Sequence, residues 1–521
     1  MKRYLWITAL FCLLLPGLVT YLWFYSGPSQ TASPAMPDYS NIDFPKPALS
    51  TEMPIPLSPK KPGITVLLDL QHQNQYSLSE IDPLVRYIEA YGGSIQITSE
   101  QTILDTSLKS ADVYISITPI MRFTQQEITQ VNHFVDRGGK LVVITDPTRN
   151  SMSAMPMMDT GGGTGTTMLS GTDNANLLLE PFDIAFADDY LYNMVENEGN
   201  FRNVSINDLV DHDLTGGIEQ LVIYGGHSVT SGGKQLAKTG GNTLSSTNEG
   251  DEIYSVMDIV ESGDGSVIAI GDLSLITSEY VLSSDNQVFV KNLAKFITSD
   301  PREKTLLDFP ALFNGDIVLQ PAGKMDVSGD LISSVSNLES YFQLPSGSLT
   351  ISKTDSYSTN RIVLSTFAET KTTADILKEL KINLAPRIED DGEDAEETPD
   401  PTATPSPMPS RSPEMMEDGP VGTTAPDYER TMEAYFGKED EADTGPEIIE
   451  VPYFDRIKTK DLGLVGLTRS GDKTTLIVMA ASPSKIQAFI RSLAISGLSG
   501  CVVHDDLAAC KVTDFAVPPQ G

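Results

Sequence analysis

The chain has 521 residues, with 71 acidic and 36 basic side chains and a formal net charge of −35. That length predicts about two or three folded units plus connectors, and 40% hydrophobic residues suffice for real cores. Such acidity argues against nucleic acid as a partner, because phosphate binding needs a positive footprint, and against a basic patch lying on an anionic lipid surface.

Residues 4–25 form an apolar run opened by Lys2 and Arg3. At ~1.5 Å per residue it spans about 33 Å, enough for a hydrocarbon core of roughly 30 Å. Trp6, Tyr21, Trp23 and Tyr25 lie near its ends, where amphipathic aromatics favour the headgroup level. The positive-inside rule places residue 1 in the cytoplasm and the bulk of the chain outside. A cleaved signal peptide is the rival reading. Bulky Tyr21-Leu22-Trp23-Phe24-Tyr25 occupies the place where small residues would mark cleavage, so residues 1–26 are expected to be an uncleaved anchor. Phe11 before Cys12 does not suit a lipobox.

Residues 27–62 carry nine prolines and predict a stalk with polyproline II character. From Gly63 the texture changes. Ile64–Leu68 is a short apolar run ending in Asp69. Ser79 is expected to cap a helix with apolar Ile81, Leu84, Val85 and Ile88, stopped by Gly92-Gly93. Strands follow at 94–97 and 113–117. Thr124 and Glu127 form a capping box before the apolar stripe Ile128, Val131, Phe134 and Val135, which Gly138-Gly139 ends. Leu141–Ile144 lacks polar alternation and is expected to be buried on both faces. Residues 221–224 and 267–270 look similar, and a last helix is expected at 285–298. Alternating strands and helices predict a parallel, doubly wound α/β sheet over 63–300. Met, Gly, Ser and Thr at 150–172 predict a mobile loop. The Gly-rich tract at 161–165 has no following Lys and is not a phosphate loop.

Residues 301–388 form a second α/β segment, with a strand at 362–364 and a helix containing Ala374, Ile376, Leu377 and Leu380. Residues 389–450 hold twenty acidic and three basic side chains, a net of −17 and about half the charge of the chain. Their Asp/Glu, Pro and Thr composition cannot bury a core and predicts a disordered linker. The chain folds again at 451–521, with a strand at 476–479 and a helix bearing Ile486, Phe489, Ile490 and Leu493. Segments 361–384 and 474–498 share the order strand, polar turn, helix. They suggest a degenerate repeat or two halves of one small domain. Cys501 and Cys510 share a compact apolar segment. Outside the cytoplasm they are expected to pair, contributing about 2–3 kcal/mol by the chain-entropy model; two buried free thiols are the alternative.

In an open parallel sheet, ligands bind beyond the carboxyl ends of the strands. Asp69, Asp146, His227 and Asp272 lie at or just past such ends, with Gln71, His72, Thr118 and Arg149 slightly further out. Asp69, His72, Asp146, His227 and Asp272 are therefore the candidate ligand-binding crevice. Carboxylates and histidine together could hold a divalent cation or act as general acid and base. The alternative is that each Asp caps the following turn. His133 is expected at the surface, and His212 in an ordered loop. No Cys/His spacing resembles a metal site, and neither a nucleophile elbow, a Walker motif, a dinucleotide fingerprint nor H-E-x-x-H occurs. No cofactor is expected.

The stretch Ala111–Asp146 (ADVYISITPI, then FTQQEITQVNHFVDRGGKLVVITD) resembles the glutamine-amidotransferase-like domain of bacterial membrane-anchored proteins and of gliding-type ABC-transporter auxiliary proteins. Residues 174–186, 211–224 and 265–297 are similar to further pieces of that domain, with Asp213 where Pro is usual. The resemblance implies a flavodoxin-like layer structure, and Asp272 and Asn286 match its pattern. Class I amidotransferases use a Cys nucleophile that this chain lacks at any such position, so that activity is not implied. A non-catalytic role in ligand or partner binding, accessory to an envelope transporter complex, is the expectation. An extracytoplasmic hydrolase or metal-dependent enzyme using the strand-end carboxylates is the alternative.

Overall fold

The computed structural model describes residues 2–25, 63–149, 171–248, 250, 252–313, 315–323, 325–342, 347–354, 360–369, 371–384, 445–471 and 473–512. The predicted stalk, most of the loop expected at 150–172 and nearly all of the acidic linker lie outside these residues.

The N-terminal unit contributes one helix, α1 (Lys2–Tyr25), long and apolar enough to cross a membrane. None of its side chains is buried. Pro16 sits inside it and supplies no N–H to the helix; its carbonyl accepts from Thr20 Oγ1 at 2.8 Å.

The second unit begins with β1 (Thr65–Leu68), α2 (Asp82–Ala90), β2 (Ser94–Ile97), α3 (Leu104–Ser110), β3 (Val113–Ile117), α4 (Gln125–Asp136) and β4 (Lys140–Ile144). α5 (Gly171–Leu179), β5 (Ile184–Phe186), β6 (Asn203–Ile206), β7 (Leu221–Tyr224), β8 (Val229–Ser231), β9 (Ser255–Ser262), β10 (Gly265–Ile270) and α6 (Asn286–Ile297) follow. The sheet runs β2-β1-β3-β4-β10-β9-β8-β5, with 234–238 and 208–209 alongside. Its first five strands are parallel, and β9, β8 and β5 continue antiparallel. The sheet is thus mixed, where the sequence predicted a parallel one. β7 differs most: it pairs antiparallel with β6 in a separate two-stranded sheet. A four-residue apolar run carries no information about which neighbour it will find.

The chain reverses direction across β1, going first to β2 and then back to β3. Right-handed crossovers then put α2 and α3 on opposite faces. α3, α4 and α5 cover Leu67, Tyr114, Leu141, Val143, Val267 and Ala269; α2 packs with α6. The capping box of α4 is present, Thr124 Oγ1 accepting from Glu127 N–H at 3.2 Å and Glu127 Oε2 accepting from Thr124 N–H at 2.8 Å. α4 ends into Gly138 at φ +90°, a conformation that favours glycine. α2 starts two residues later than a cap at Ser79 implies, with Ile81 as its cap and Pro83 in its first turn. Ser77 and Glu80 bond each other instead.

The third part supplies β11 (Ile317–Pro321), α7 (Gly329–Phe342), β12 (Leu349–Ile351), β13 (Asn360–Thr366) and α8 (Ala374–Glu379). From beyond the linker come β14 (Leu462–Ser470), β15 (Lys473–Ala480), α9 (Pro483–Ser496), β16 (Cys501–His504) and β17 (Leu507–Lys511). They form one sheet in the order β12-β11-β13-β15-β14-β17-β16, so strands from either side of the acidic linker are direct neighbours. β13 and β15 are parallel, but their helices diverge. Ile376 and Leu377 of α8 enter one core, and Ile486 and Phe489 of α9 enter the other. Cys501 and Cys510 face each other across β16 and β17, and their sulfurs are bonded.

Arg302 joins the two sheets. It is fully buried against Asp308, with donor distances of 2.7 and 2.9 Å, and it donates to the carbonyls of Ala111 and Leu108 behind α3. Burial opposes ionisation of Asp308, yet the hydrogen bonds and charge of Arg302, with Arg137 at 3.1 Å, hold its carboxyl below the usual range.

Candidate functional site

The reversal at β1 leaves a crevice between the carboxyl ends of β1 and β3, and the chain's own loop fills it. Asp69 is fully buried. Its Oδ1 accepts from Gln71 N–H (3.0 Å) and Thr98 Oγ1 (3.1 Å), and its Oδ2 from Asn74 Nδ2 (2.9 Å). His72 Nδ1 lies 2.9 Å from Asp69 Oδ2, and its Nε2 lies 3.5 Å from Glu127 Oε1. The imidazole stacks on Phe123 with centroids 3.7 Å apart. Asn74 Oδ1 in turn accepts from Ile117 N–H and Ser116 Oγ at the end of β3. Burial pushes the Asp69 carboxyl up, but the hydrogen bond and charge of His72 and the Asn74 amide bring it below its ordinary value. Asp69 and His72 are thus brought together as a pair that shapes residues 69–75.

Asp146 follows β4, and its Oδ1 accepts from Thr148 N–H (2.8 Å) and Thr148 Oγ1 (2.6 Å), an Asx-type turn. Arg149 stands 3.6 Å from Asp146 Oδ2 and bonds Glu80 and the Gln75 carbonyl. Asp272 follows β10, is 1% exposed, and caps the short 3-10 turn Leu273–Ile276 through Ser274 N–H (2.8 Å). Its Oδ2 accepts from Ser274 Oγ (2.7 Å) and from Tyr224 N–H. Burial first, and then the charge of Asp146, push the Asp272 carboxyl up to about 7.

His227 sits on the same edge because residues 224–227 lie directly on the end of β10. Its N–H donates to the Gly271 carbonyl at 2.8 Å. A Cβ on Gly271 would run into the His227 carbonyl, and one on Gly226 would come 2.9 Å from Asp272 Cβ; both positions need glycine for this approach. The buried His227 ring has Nε2 3.3 Å from Thr172 Oγ1 and Nδ1 3.9 Å from Asp189 Oδ1. Burial lowers its pKa, against the pull of Asp189, which favours the neutral ring. Asp189 itself accepts from Ser228 N–H, Ser228 Oγ and Ser245 Oγ.

The predicted residues therefore form three adjoining groups: Asp69 with His72, Asp146 facing Asp272, and His227 against Thr172 and Asp189. Each aspartate turns the chain, and no three His, Cys, Asp or Glu side chains among the described residues are placed to hold a metal ion. Asn286 opens α6 fully buried, accepting from Val222 N–H (3.0 Å) and donating to the Val222 carbonyl (2.9 Å), so its amide stands in for a strand beside β7. His133 is exposed, and His212 orders its loop through Leu214 N–H (3.2 Å). Sequence reasoning missed Asn74, Thr98, Thr172 and Asp189, all of which act across long sequence separations. It also missed a property of Thr118. This β-branched residue sits at φ +45°, and its hydroxyl and that of Thr145, each one residue past the end of its strand, are buried without a hydrogen-bond partner among the described residues.

The chain is similar over less than half its length to several solved structures. They include the mmIFT52 N-terminal domain (15% identity, 45% of this chain and 98% of that one, TM-score 0.36). A putative ThuA-like protein from Bacteroides uniformis matches at 11% identity over 47% and 96%, with TM-score 0.29. A beta-galactosidase from Bacillus circulans matches at 11% identity over 45% and 31%, with TM-score 0.26. No curated protein matches the chain. Residues 83–294, from α2 to the last turn of α6, match the family model described as a domain of unknown function, DUF4350.

Proposed function

We propose that this is a single-pass membrane protein whose folded part lies outside the cytoplasm and binds a partner or ligand without catalysing a reaction, as an accessory to an envelope transporter complex. The observation that carries this reading is the commitment of Asp69, Asp146 and Asp272 to the turns that follow their strands. Groups bonded this way build a rigid edge and are poorly placed to exchange protons with a substrate. Anchoring is supported by α1 and the Lys2-Arg3 pair before its apolar stretch. The parallel order β2-β1-β3-β4-β10 supports the flavodoxin-like, amidotransferase-like assignment. The buried hydroxyls of Thr118 and Thr145, without a partner among the described residues, add hydrogen-bonding capacity beneath the same edge. Cross-linking the full chain in its native membrane should capture an envelope protein that a chain lacking residues 63–512 does not. Equal capture by both overturns the binding reading.

A second reading, an extracytoplasmic hydrolase, has one observation in its favour. Thr172 Oγ1, His227 and Asp189 stand in the order nucleophile, base and orienting acid, at 3.3 and 3.9 Å. All three are buried, so a substrate would reach them only after a rearrangement. Ester hydrolysis lost in both Thr172→Val and Asp189→Asn, with unchanged circular dichroism, would establish it; no hydrolysis by the parent chain would dismiss it.

A further inference from the structure

Arg86, Arg137, Arg149, Arg302, Arg456 and Arg469 each pair with a carboxylate, the ordinary fate of a guanidinium in a chain with 71 acidic and 36 basic side chains. Arg202, just before β6, departs from it. Among the described residues its side chain makes no ion pair and no hydrogen bond, and its Nε is buried without a partner. Its backbone N–H alone is bonded, to Asn200 Oδ1 at 3.0 Å. Glu196 on the same loop turns instead to Asn193 Nδ2, at 3.4 Å. A buried donor left unmatched in this way calls for an explanation.

What holds Arg202 is an aromatic face. Its Cζ lies 4.3 Å from the centroid of the Tyr190 ring, a cation–π contact. Tyr190 and Tyr192, two residues apart about the short strand Leu191–Asn193, have centroids 6.0 Å apart. Phe201 meets Tyr192 edge-on at 6.1 Å and is itself 45% exposed. Gly225 brings bare backbone up to the guanidinium, since a Cβ there would stand 3.7 Å from Arg202 Nε. Leu191 N–H donates to the Gly226 carbonyl at 2.9 Å, and Gly226 lies against Asp272. The cluster therefore borders the strand-end edge, where the aspartates are spent on turns and this arginine is not.

A guanidinium laid on a ring keeps its in-plane N–H groups for an acceptor, and a carboxylate fits that fork. The stack orders the long side chain before a ligand arrives, which lowers the cost of binding. One guanidinium balances one negative charge. Glu198, whose charge reaches Tyr224 next to Gly225, disfavours a dianion such as phosphate. Tyr192 and Phe201 supply ring surface for the body that carries the carboxylate.

We propose that Arg202, Tyr192 and Phe201 bind a small organic acid, with a single carboxylate on the Arg202 fork and a flat ring packed against Tyr192 and Phe201. This names the ligand class for the binding reading above and rests on it.

The test is titration calorimetry of the full chain in micelles of a neutral detergent, against a micelle blank, with sodium benzoate as the probe. Benzoate should bind more tightly than benzyl alcohol, which has the ring without the charge, or acetate, which has the charge without the ring. Its binding should weaken as salt rises. Arg202→Gln should lower benzoate affinity about fivefold, the upper range for one exposed charge pair, and leave benzyl alcohol unchanged. Arg202→Lys should recover part of the loss, because it returns the charge without the planar fork. Phe201→Ala, at an exposed position, should weaken benzoate and benzyl alcohol alike, and it carries the test if Arg202→Gln unfolds. Equal affinity for benzoate and either half-probe, tighter binding of phenyl phosphate, no heat from the parent chain, or variants indistinguishable from the parent each overturn the proposal. If the site fails while an envelope protein is still cross-linked to the full chain, the binding reading stands without this ligand. If that capture fails while benzoate binds through Arg202, the site stands and the partner half of that reading falls.

Discussion

Replacing Asp146 by Asn tests the electrostatics of the strand-end carboxylates directly. Asn keeps an oxygen for the bonds from Thr148 N–H and Oγ1, so the turn should survive while the charge disappears. Asp272 feels that charge. Its carboxyl stands at about 7 against an ordinary 3.8, a rise of about three units and therefore about 4 kcal/mol at 1.36 kcal/mol per unit. The folded state holds this proton more tightly than the unfolded chain. The contribution of Asp272 is therefore fully present below about pH 4, declines as pH rises, and is lost above about pH 7. Burial is the larger cause and Asp146 the second, so neutralising Asp146 should recover less than half, about 1–2 kcal/mol at pH 7 and nothing at pH 4. Urea unfolding of the full chain in micelles, followed by near-ultraviolet circular dichroism from pH 4 to 8, measures the difference. Arg149 retains Glu80 as a partner, which limits collateral loss. A variant whose stability stays at a constant offset from the parent across this range would refute the reasoning.

Three other substitutions probe the frame that holds this edge. Arg302→Ala leaves Asp308 buried without its bidentate partner and should cost about 3–5 kcal/mol in urea unfolding. Thr124→Ala removes the cap of α4 and should cost about 1 kcal/mol, measured the same way. Gly271→Ala forces β10 away from the His227 carbonyl and should cost about 1–3 kcal/mol. It should also raise amide hydrogen exchange at His227, whose N–H bonds the Gly271 carbonyl.

What could be read from the sequence divides along the range of the interaction that decides each feature. α4 was legible because Thr124, Glu127 and the stripe Ile128, Val131, Phe134 and Val135 all act within a few residues. The start of α2 was misplaced because Ser79 satisfies the local rule, while Pro83 in the first turn sets the boundary and Glu80 is drawn to Arg149. β7 looks like a core strand of the parallel sheet and is one in burial, yet its neighbour is β6 and its other edge is closed by Asn286. Neither partner leaves a trace in residues 221–224.

The strand-end aspartates show the same division in the site. Their positions were legible, because a parallel strand must be followed by a turn at its carboxyl end and Asp serves that turn. Their use was not. Whether Asp69 bonds a ligand or bonds Thr98 and Asn74 depends on side chains that reach it from another strand end and from further round its own loop. Once Asn74 also caps Ile117, the crevice between β1 and β3 is occupied by protein, and a ligand there would have to displace bonds that rigidify the edge. The two asparagines that imitate strands carry this argument to the opposite side of the sheet. Asn286 closes β7 at Val222, and Asn176 closes β5 at Phe186. One device, a side-chain amide that bonds both the N–H and the C=O of a single backbone residue, thus closes two strand edges that the sheets leave without a neighbour there.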